Sequence, residues 1–191
     1  MIISIIGPSG SGKDTQARFI EEKYNIPNIS TGRLMREEID AGSELGKKID
    51  SYIGDGKWLP DDMTFDLLLK RVLQEDTNNG FLLNGFPRTY AQIELLDKIS
   101  EIKKIKISAV VHFQLDDNEI IRRMRKQAQE AEQRNDIDEQ AIRTRLKYYK
   151  DTISPIIEEY TRRNLVINID ASPSIEEVRK DIAQKLEQII S

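Results

Sequence analysis

Cysteine is absent from the 191-residue sequence, which also has a single histidine, His112. A chain without cysteine forms no disulfide bond and has no thiolate-ligated zinc site. Long apolar runs are lacking too, since none approaches the roughly 18 residues that cross a bilayer. With 32% charged residues and a mean hydropathy of −0.54, the composition is that of a water-facing protein. An apolar run already begins at Ile2, so we expect no signal peptide, no membrane partner and a cytoplasmic location.

An excess of positive charge is also missing, because the net charge is −4 and the pI is about 5.3. This balance argues against a nucleic-acid partner, which usually requires a basic surface. Arginine nevertheless clusters at positions 122, 123, 125, 134, 143 and 145. A local group of arginines in an acidic protein suits a small anionic ligand better than a polymer. With no long exposed apolar face in the pattern, we expect a monomer.

The first sixteen residues, MIISIIGPSGSGKDTQ, combine an apolar run with a glycine-rich stretch. Ile2–Ile6 is followed by Gly7, which predicts a buried strand ending in a turn. The pattern G-x-x-x-x-G-K-[ST] then fits from Gly7 to Lys13 and misses by one residue, because Asp14 precedes Thr15. A strand, a glycine-rich turn and a helix start in this order bind phosphate through backbone N–H groups, the helix N-terminus and lysine. The stretch therefore predicts nucleotide binding.

Strand-like and helix-like segments alternate along the remaining chain. Short apolar runs predict strands near residues 26–30, 81–83, 107–113 and 165–169. The run at 107–113 lacks polar alternation, as expected of the centre of a parallel sheet. Helical spacing fills the intervals. We therefore predict an α/β fold with a doubly wound parallel sheet of about five strands and helices on both faces, in one domain spanning residues 1–191.

Several local features carry more specific expectations. Ser30 and Thr31 are expected to cap one helix, and Asp61 or Asp62 another. The polar segment 127–136 lacks apolar periodicity and is interpreted as an exposed connector or flap. A helix beginning near Glu139 is expected to be interrupted near Pro155.

Five stretches, taken in order, carry a resemblance to a known family. The chain resembles adenylate kinases, within the nucleoside monophosphate kinases, at GPSGSGKDTQA from Gly7, ISTGRLMREEI from Ile29, GDGKWLPDDM from Gly54, FLLNGFPRTYAQ from Phe81 and RNDIDEQAIRTRLKYY from Arg134. The resemblance implies a P-loop NTPase-type core, a nucleoside-monophosphate-binding segment at 30–59 and a short lid at about 126–136. It also implies phosphoryl transfer from ATP, with Mg²⁺ as cofactor, to a nucleoside monophosphate.

The same resemblance assigns the residues that bind ATP, the phosphoryl donor. It implies ATP binding by Gly10, Ser11, Gly12, Lys13, Asp14, Thr15, Arg123 and Pro173. The register among Arg122, Arg123 and Arg125 is ambiguous, and Arg123 is selected as the arginine that stacks on adenine. No side chain is expected to ligate Mg²⁺ directly, since the metal would be held through phosphates and water, with Thr15, Asp14 and Asn84 as possible neighbours.

The acceptor side is assigned in the same way. The resemblance implies AMP binding by Thr31, Arg36, Lys57, Trp58, Leu59, Gly85, Phe86, Pro87, Arg88, Gln92, Arg134 and Arg145. Among these, the phosphate is assigned to Arg36 and Arg88, and the base to Thr31 and Gln92. Catalytic roles are assigned to Lys13, Arg88, Arg134 and Arg145. Arginine suits this chemistry because its planar donors match phosphate oxygens, and phosphoryl transfer depends mainly on positioning and charge.

Three positions depart from the family pattern. Asn84 stands where the family usually has aspartate, Asp14 where it has glycine, and Arg33 where it tends to have an acid. Asp14 either takes over part of the magnesium's outer shell or faces solvent in the first helical turn, where a negative charge suits the helix dipole. Arg33 either adds positive charge near the acceptor or is simply exposed, which we favour.

The predicted function is reversible phosphoryl transfer from ATP to AMP, giving two ADP. A kinase for UMP, CMP or dAMP is the alternative enzyme, because few groups contact the base. A nucleotide-binding sensor with little turnover is an alternative of another class, motivated by Asp14 and Asn84. His112 lies within an apolar strand and is assigned a structural role.

Overall fold

The sheet has five strands that all run parallel. The computed structural model describes residues 1–54, 59–130 and 139–190. The strand order is β2-β3-β1-β4-β5, with β1 at Ile2–Ile6, β2 at Asn28–Ser30, β3 at Phe81–Asn84, β4 at Ile107–Gln114 and β5 at Val166–Asp170. The predicted five-stranded parallel sheet is therefore confirmed.

Helices connect the strands as crossovers, which parallel pairing requires. Their bounds are α1 Lys13–Tyr24, α2 Thr31–Asp40, α3 Glu44–Gly54, α4 Asp61–Val72, α5 Ala91–Lys103, α6 Asp117–Glu130, α7 Glu139–Arg162 and α8 Ile175–Ile190, with a 3₁₀ turn at Glu75–Thr77. Strands β2 to β5 lie within a few residues of their predicted ranges, and the described helices fill the intervals between strands as predicted.

The sheet is covered by helices on both faces. On one face Ile3 and Ile5 of β1 pack in a core with α1 and α8. On the other face Ile2 and Ile6 pack in a core with α2, α4, α5 and α7. Every residue of β1 is buried, because alternate side chains enter these two cores. The doubly wound architecture is thus confirmed.

Two boundaries differ from the sequence-based expectation. Helix α7 continues through Pro155 instead of breaking there. Ile153, Ile156 and Tyr160 on either side of the proline are buried against the sheet, and this packing outweighs the lost backbone hydrogen bond. Residues 127–130, interpreted as connector, extend α6 instead, since glutamine, alanine and glutamate favour helix even without an apolar stripe.

The expected side-chain caps are absent at two described helix starts. Ser30 precedes α2, yet neither it nor Thr31 makes a capping bond there. Pro60 precedes α4, whose start likewise has no side-chain cap, and Asp61 makes longer-range contacts instead. Those capping predictions are therefore wrong.

Helices α2 and α3 pack so closely at Gly46 that a side chain there would collide with backbone. A Cβ on Gly46 would lie 2.0 Å from the carbonyl oxygen of Glu38. We expect Gly46→Ala to lower the free energy of unfolding by about 1–3 kcal/mol, because the helices must separate. Urea denaturation followed by circular dichroism measures this loss.

Gly32→Ala is the matched control, because a Cβ on Gly32 meets only the flexible end of Arg36, at 3.6 Å. Its unfolding free energy is expected to change by less than about 1 kcal/mol. Equal stability of the two variants would contradict the close packing inferred at Gly46.

Candidate active site

The carboxyl ends of β1, β2 and β3 meet at one edge of the sheet. Asn84, the last residue of β3, pairs with Ile5 of β1 on one side and with Ser30 of β2 on the other. The turn after β1, the segment after Asn84 and the start of α2 therefore leave the sheet side by side. Open parallel sheets bind ligands at this edge.

The glycine-rich turn has the geometry of an anion site. Gly10 and Gly12 adopt left-handed φ angles of 81° and 85°, which residues with a Cβ rarely adopt. Ser11 is buried, and its N–H and Oγ both donate to Pro8 O, at 3.3 and 2.8 Å. Among the described residues, the N–H groups of Gly10 and Gly12 have no partner. Together with the N-terminus of α1, they offer donors to phosphate.

Lys13 and Arg88 line the same cavity beside this turn. Its walls include Gly85 and Pro87 from the segment after β3, and Tyr149 from α7. The Lys13 ammonium donates to Pro8 O at 3.4 Å. Burial raises the pKa of the Tyr149 phenol well above its usual range, so this wall residue stays protonated. The structure thus gathers two of the predicted catalytic cations around one space.

A chain of hydrogen bonds holds Arg88. Its Nε donates to Gly85 O at 2.7 Å, and its backbone N–H donates to Gln92 Oε1 at 2.7 Å. The buried Gln92 in turn donates through Nε2 to Asp61 Oδ1 at 2.6 Å. Asp61 also accepts from Thr89 Oγ1 at 3.1 Å. The side-chain amide retains one hydrogen and one lone pair for a further partner, so its assigned contact with the AMP base stays a prediction.

Asp61 contacts the segment that carries Arg88, a link that sequence reasoning missed. Its position at the first turn of α4 indicated a helix cap, whereas the fold places it against Thr89 and Gln92, 28 and 31 residues further on. A contact between segments so distant in sequence leaves no local signal.

The start of α2 presents two more of the predicted acceptor residues. Thr31 is buried, and its Oγ1 has no hydrogen-bond partner in the described part of the chain. Arg36 is exposed, and we find no hydrogen bond or ion pair to it within residues 1–54, 59–130 and 139–190. Arg33 differs, because it donates to Asn28 O and lies 3.7 Å from Glu37. Arg33 is exposed, as the favoured interpretation of this position predicts.

Arg123 lies against the glycine-rich turn. A Cβ on Gly10 would come within 3.4 Å of the Cβ of Arg123. The guanidinium donates to Glu119 at 2.7 Å, and Arg122 bonds the same carboxylate. Hydrogen bonds from Arg122 and Arg123 lower the pKa of Glu119 to about 2, so this carboxylate stays ionised. Arg122 is exposed, whereas Arg123 is partly covered.

The loop that contains Pro173 is tied to the same region. Ala171 N–H donates to Gln114 O at 2.8 Å, which fixes the loop at the end of β4. Gln16 of α1 donates through Nε2 to Ile175 O at 3.0 Å. The exposed Pro173 is thereby held by the helix that follows the glycine-rich turn.

Oxygen atoms suited to magnesium lie at this edge of the sheet. Asp14 and Thr15 are exposed in the first turn of α1, and Asn84 Nδ2 donates to Asp14 Oδ1 at 2.7 Å. Across the described residues, no three acidic or histidine side chains are grouped to hold a metal ion. Because Mg²⁺ prefers oxygen, keeps several waters and binds through substrate phosphates, these residues fit an ion held mainly by ATP.

The remaining predicted residues divide into two groups. Leu59 and Phe86 are buried, and their assignment to the acceptor side stays a prediction. Lys57, Trp58, Arg134 and the side chain of Arg145 lie outside the described part of the structure, and their assignments stay predictions. His112 is absent from the walls of the Lys13 cavity. Its Nδ1 lies 3.1 Å from Asn168 Oδ1, and burial lowers its pKa, in keeping with a structural role.

Comparison with known proteins decides the family. The profile described as "Adenylate kinase" matches residues 5–165. The chain belongs to the adenylate kinase family. Among its relatives are the adenylate kinases of Corynebacterium urealyticum, 40% identical over 93% of this chain and 94% of the relative, and Thermobifida fusca, 39% identical over the same shares. The adenylate kinase of Archaeoglobus fulgidus is 35% identical over the full length of both chains.

Membership of the adenylate kinase family confirms the predicted activity, an ATP:AMP phosphotransferase. Kinases specific for another nucleoside monophosphate, and a sensor without turnover, are not favoured by these relatives. None of the helices that the structure describes is long and apolar enough to cross a membrane.

Removing the Asp61 carboxylate should loosen the segment that positions Arg88. We expect Asp61→Ala to lower kcat/KM for AMP by roughly ten-fold, because Gln92 and Thr89 lose a shared acceptor. The kcat/KM for ATP should change less, and Asp61→Asn, which keeps an acceptor oxygen, should lie between. Steady-state kinetics with each substrate varied in turn measures these values.

Asp62→Ala is the control for this change. Asp62 is exposed, and its carboxylate accepts from its neighbour Met63 N. The Asp62→Ala enzyme should have the wild-type kcat/KM for AMP and for ATP. An Asp61→Ala enzyme with wild-type kcat/KM for AMP would show that the hydrogen-bond chain does not position Arg88.

Proposed function

We propose that this enzyme works as one domain, residues 1–191, that holds ATP at the glycine-rich turn and AMP at the start of α2. Residues 30–59 form the acceptor segment, and about 126–136 form a short lid. The observation that supports this arrangement is the shared cavity of Lys13 and Arg88, between the turn after β1 and the segment after β3. A phosphoryl group passing between two nucleotides there would lie between both cations.

On the donor side, residues 10–15 bind the ATP phosphates. Backbone N–H groups of the turn and the α1 N-terminus supply donors, and Lys13 supplies the charge. Arg123 contacts the adenine, an assignment supported by its position against Gly10, while Arg122 lies further out. Pro173 contributes to the same base site from the loop held by Gln16.

On the acceptor side, Arg36 and Arg88 bind the AMP phosphate. The lack of a described partner for Arg36, in an exposed position, suits a cation kept for an anionic ligand. Thr31 and Gln92 contact the base, and the buried unpartnered Oγ1 of Thr31 supports that role. Lys57, Trp58, Leu59, Gly85, Phe86 and Pro87 complete this side of the site.

During transfer, charge develops on the oxygens around the moving phosphorus. Lys13 and Arg88 stabilise that charge, together with Arg134 and Arg145 contributed from the lid side. When bound to the ATP phosphates, Mg²⁺ would further neutralise their charge. Closure of the lid excludes water, which would otherwise compete with AMP for the phosphoryl group.

We further propose that the enzyme acts as a monomer on small nucleotides, without a nucleic-acid or membrane partner. The net charge of −4 supports this, because nucleic-acid and anionic-membrane surfaces favour basic proteins. The lack of cysteine is in keeping with a location in the cytoplasm.

The acceptor assignment is tested at Arg36. We expect Arg36→Ala to raise KM for AMP by about 10- to 100-fold, since a charged hydrogen bond is worth about 1.5–3 kcal/mol. The KM for ATP should stay within about two-fold. Arg33→Ala, three residues earlier on the same helix and already paired with Glu37, is the control and should leave both values near wild type. Equal increases in KM for AMP and KM for ATP in Arg36→Ala would contradict the assignment of Arg36 to the acceptor phosphate.

The choice of acceptor is tested with a panel of nucleoside monophosphates. In a coupled assay with ATP and Mg²⁺, we expect strong turnover with AMP and weak turnover with CMP, UMP and GMP, with dAMP in between. The expectation follows from Thr31 and Gln92, because one unpaired base contact costs about 1–3 kcal/mol. Preference for a pyrimidine monophosphate would overturn the assigned base contacts. No turnover by a protein that binds ATP would overturn the enzyme assignment.

A further inference from the structure

A buried amide and an exposed carboxylate meet beside the glycine-rich turn. Asn84, at the end of β3, is only 4% exposed, while Asp14 lies exposed in the first turn of α1. Asn84 Nδ2 donates to Asp14 Oδ1 at 2.7 Å, although the two residues are 70 positions apart. This bond joins the P-loop helix to the neighbouring strand.

The direction of the bond follows from the chemistry of the two groups. An ionised carboxylate can only accept hydrogen bonds, so the amide nitrogen must face it. With aspartate at position 84 as well, two negative charges would lie in contact and repel each other. Asparagine at 84 and aspartate at 14 therefore suit each other, and together they bring one negative charge to this edge of the sheet.

A fixed negative charge beside a phosphate site favours phosphate binding only when a cation is bound as well. The neighbouring backbone donors and Lys13 attract phosphate, which an adjacent carboxylate repels. The helix dipole alone favours a carboxylate in the first turn and does not require that a buried amide hold it. A carboxylate held at this place favours a nucleotide only when a metal ion accompanies the phosphates.

We propose that Asp14 and Asn84 act as one unit in which Asn84 holds Oδ1 of Asp14 and leaves Oδ2 to accept hydrogen bonds from water around the magnesium of bound ATP. Both are positioning residues, because they act on the metal through water. This inference rests on the proposed function, and it chooses between the two interpretations of Asp14 given by the sequence.

The test compares the wild type with Asp14→Asn, Asn84→Asp and the exchange variant Asp14→Asn/Asn84→Asp. Mn²⁺ serves as the probe, and its affinity for the complex with β,γ-imido-ATP is measured by electron paramagnetic resonance. Isothermal titration calorimetry then measures the affinity for the same analogue with the metal removed by EDTA. Thermal melting establishes that each variant is folded.

We expect Asp14→Asn to weaken Mn²⁺ binding by about five-fold, because the outer-shell acceptor loses its charge. The metal-free analogue should bind as tightly as to wild type or more tightly, since a like charge beside the phosphates has gone. The exchange variant, which restores one carboxylate and one amide, should recover Mn²⁺ affinity to within about two-fold of wild type. These opposite effects with and without metal would not arise from a merely structural role.

Glu22→Gln, on an exposed face of the same helix, is the control for net charge and should change neither affinity. Unchanged Mn²⁺ affinity in Asp14→Asn would overturn the proposal. So would equal losses with and without metal, or an exchange variant that recovers nothing. Turnover of ATP and AMP by the wild type is measured separately, so an active wild type with any of these results leaves the proposed function standing.

Discussion

The parallel pairing of β1 with β3 and β4 is the constraint on which the site depends. Because β1 lies in the centre of the sheet, every side chain in it is buried, and its carboxyl end opens between two neighbouring strands. The glycine-rich turn can leave the sheet only at that point. Lys13 and Arg88 face one cavity because the strands before them, β1 and β3, are hydrogen-bonded neighbours in the same direction.

Two carboxylates beside the site are organised in the same way, each by a buried side-chain amide. Gln92 donates to Asp61 and Asn84 donates to Asp14, and both amides are 4% exposed. An amide can hold a carboxylate without adding charge, which preserves the positive balance that phosphate binding requires. In both places a buried neutral amide fixes the position of a carboxylate.

The sequence predicted local elements well and failed where distant segments interact. The glycine-rich turn and the apolar strands were predicted because their signals lie within a few consecutive residues. Pro155 was wrongly expected to break α7, since the burial that keeps the helix intact depends on the sheet beneath it. Asp61 was mistaken for a cap for a similar reason, because its partners belong to the segment after β3. The conformation at Pro155 and the contacts of Asp61 both depend on packing between segments that are distant in the sequence.

By itself the sequence determined the family, the phosphate-binding turn and the residue types able to bind two nucleotides, because motif spacing and apolar periodicity are properties of neighbouring residues. It also determined that position 14 is acidic and position 84 is not. Only the tertiary structure decided that these two side chains touch, and that Asp61 and Gln92 hold the segment of Arg88. The reason is physical: hydrogen bonds between distant residues exist only after the parallel strands have brought their carboxyl ends together.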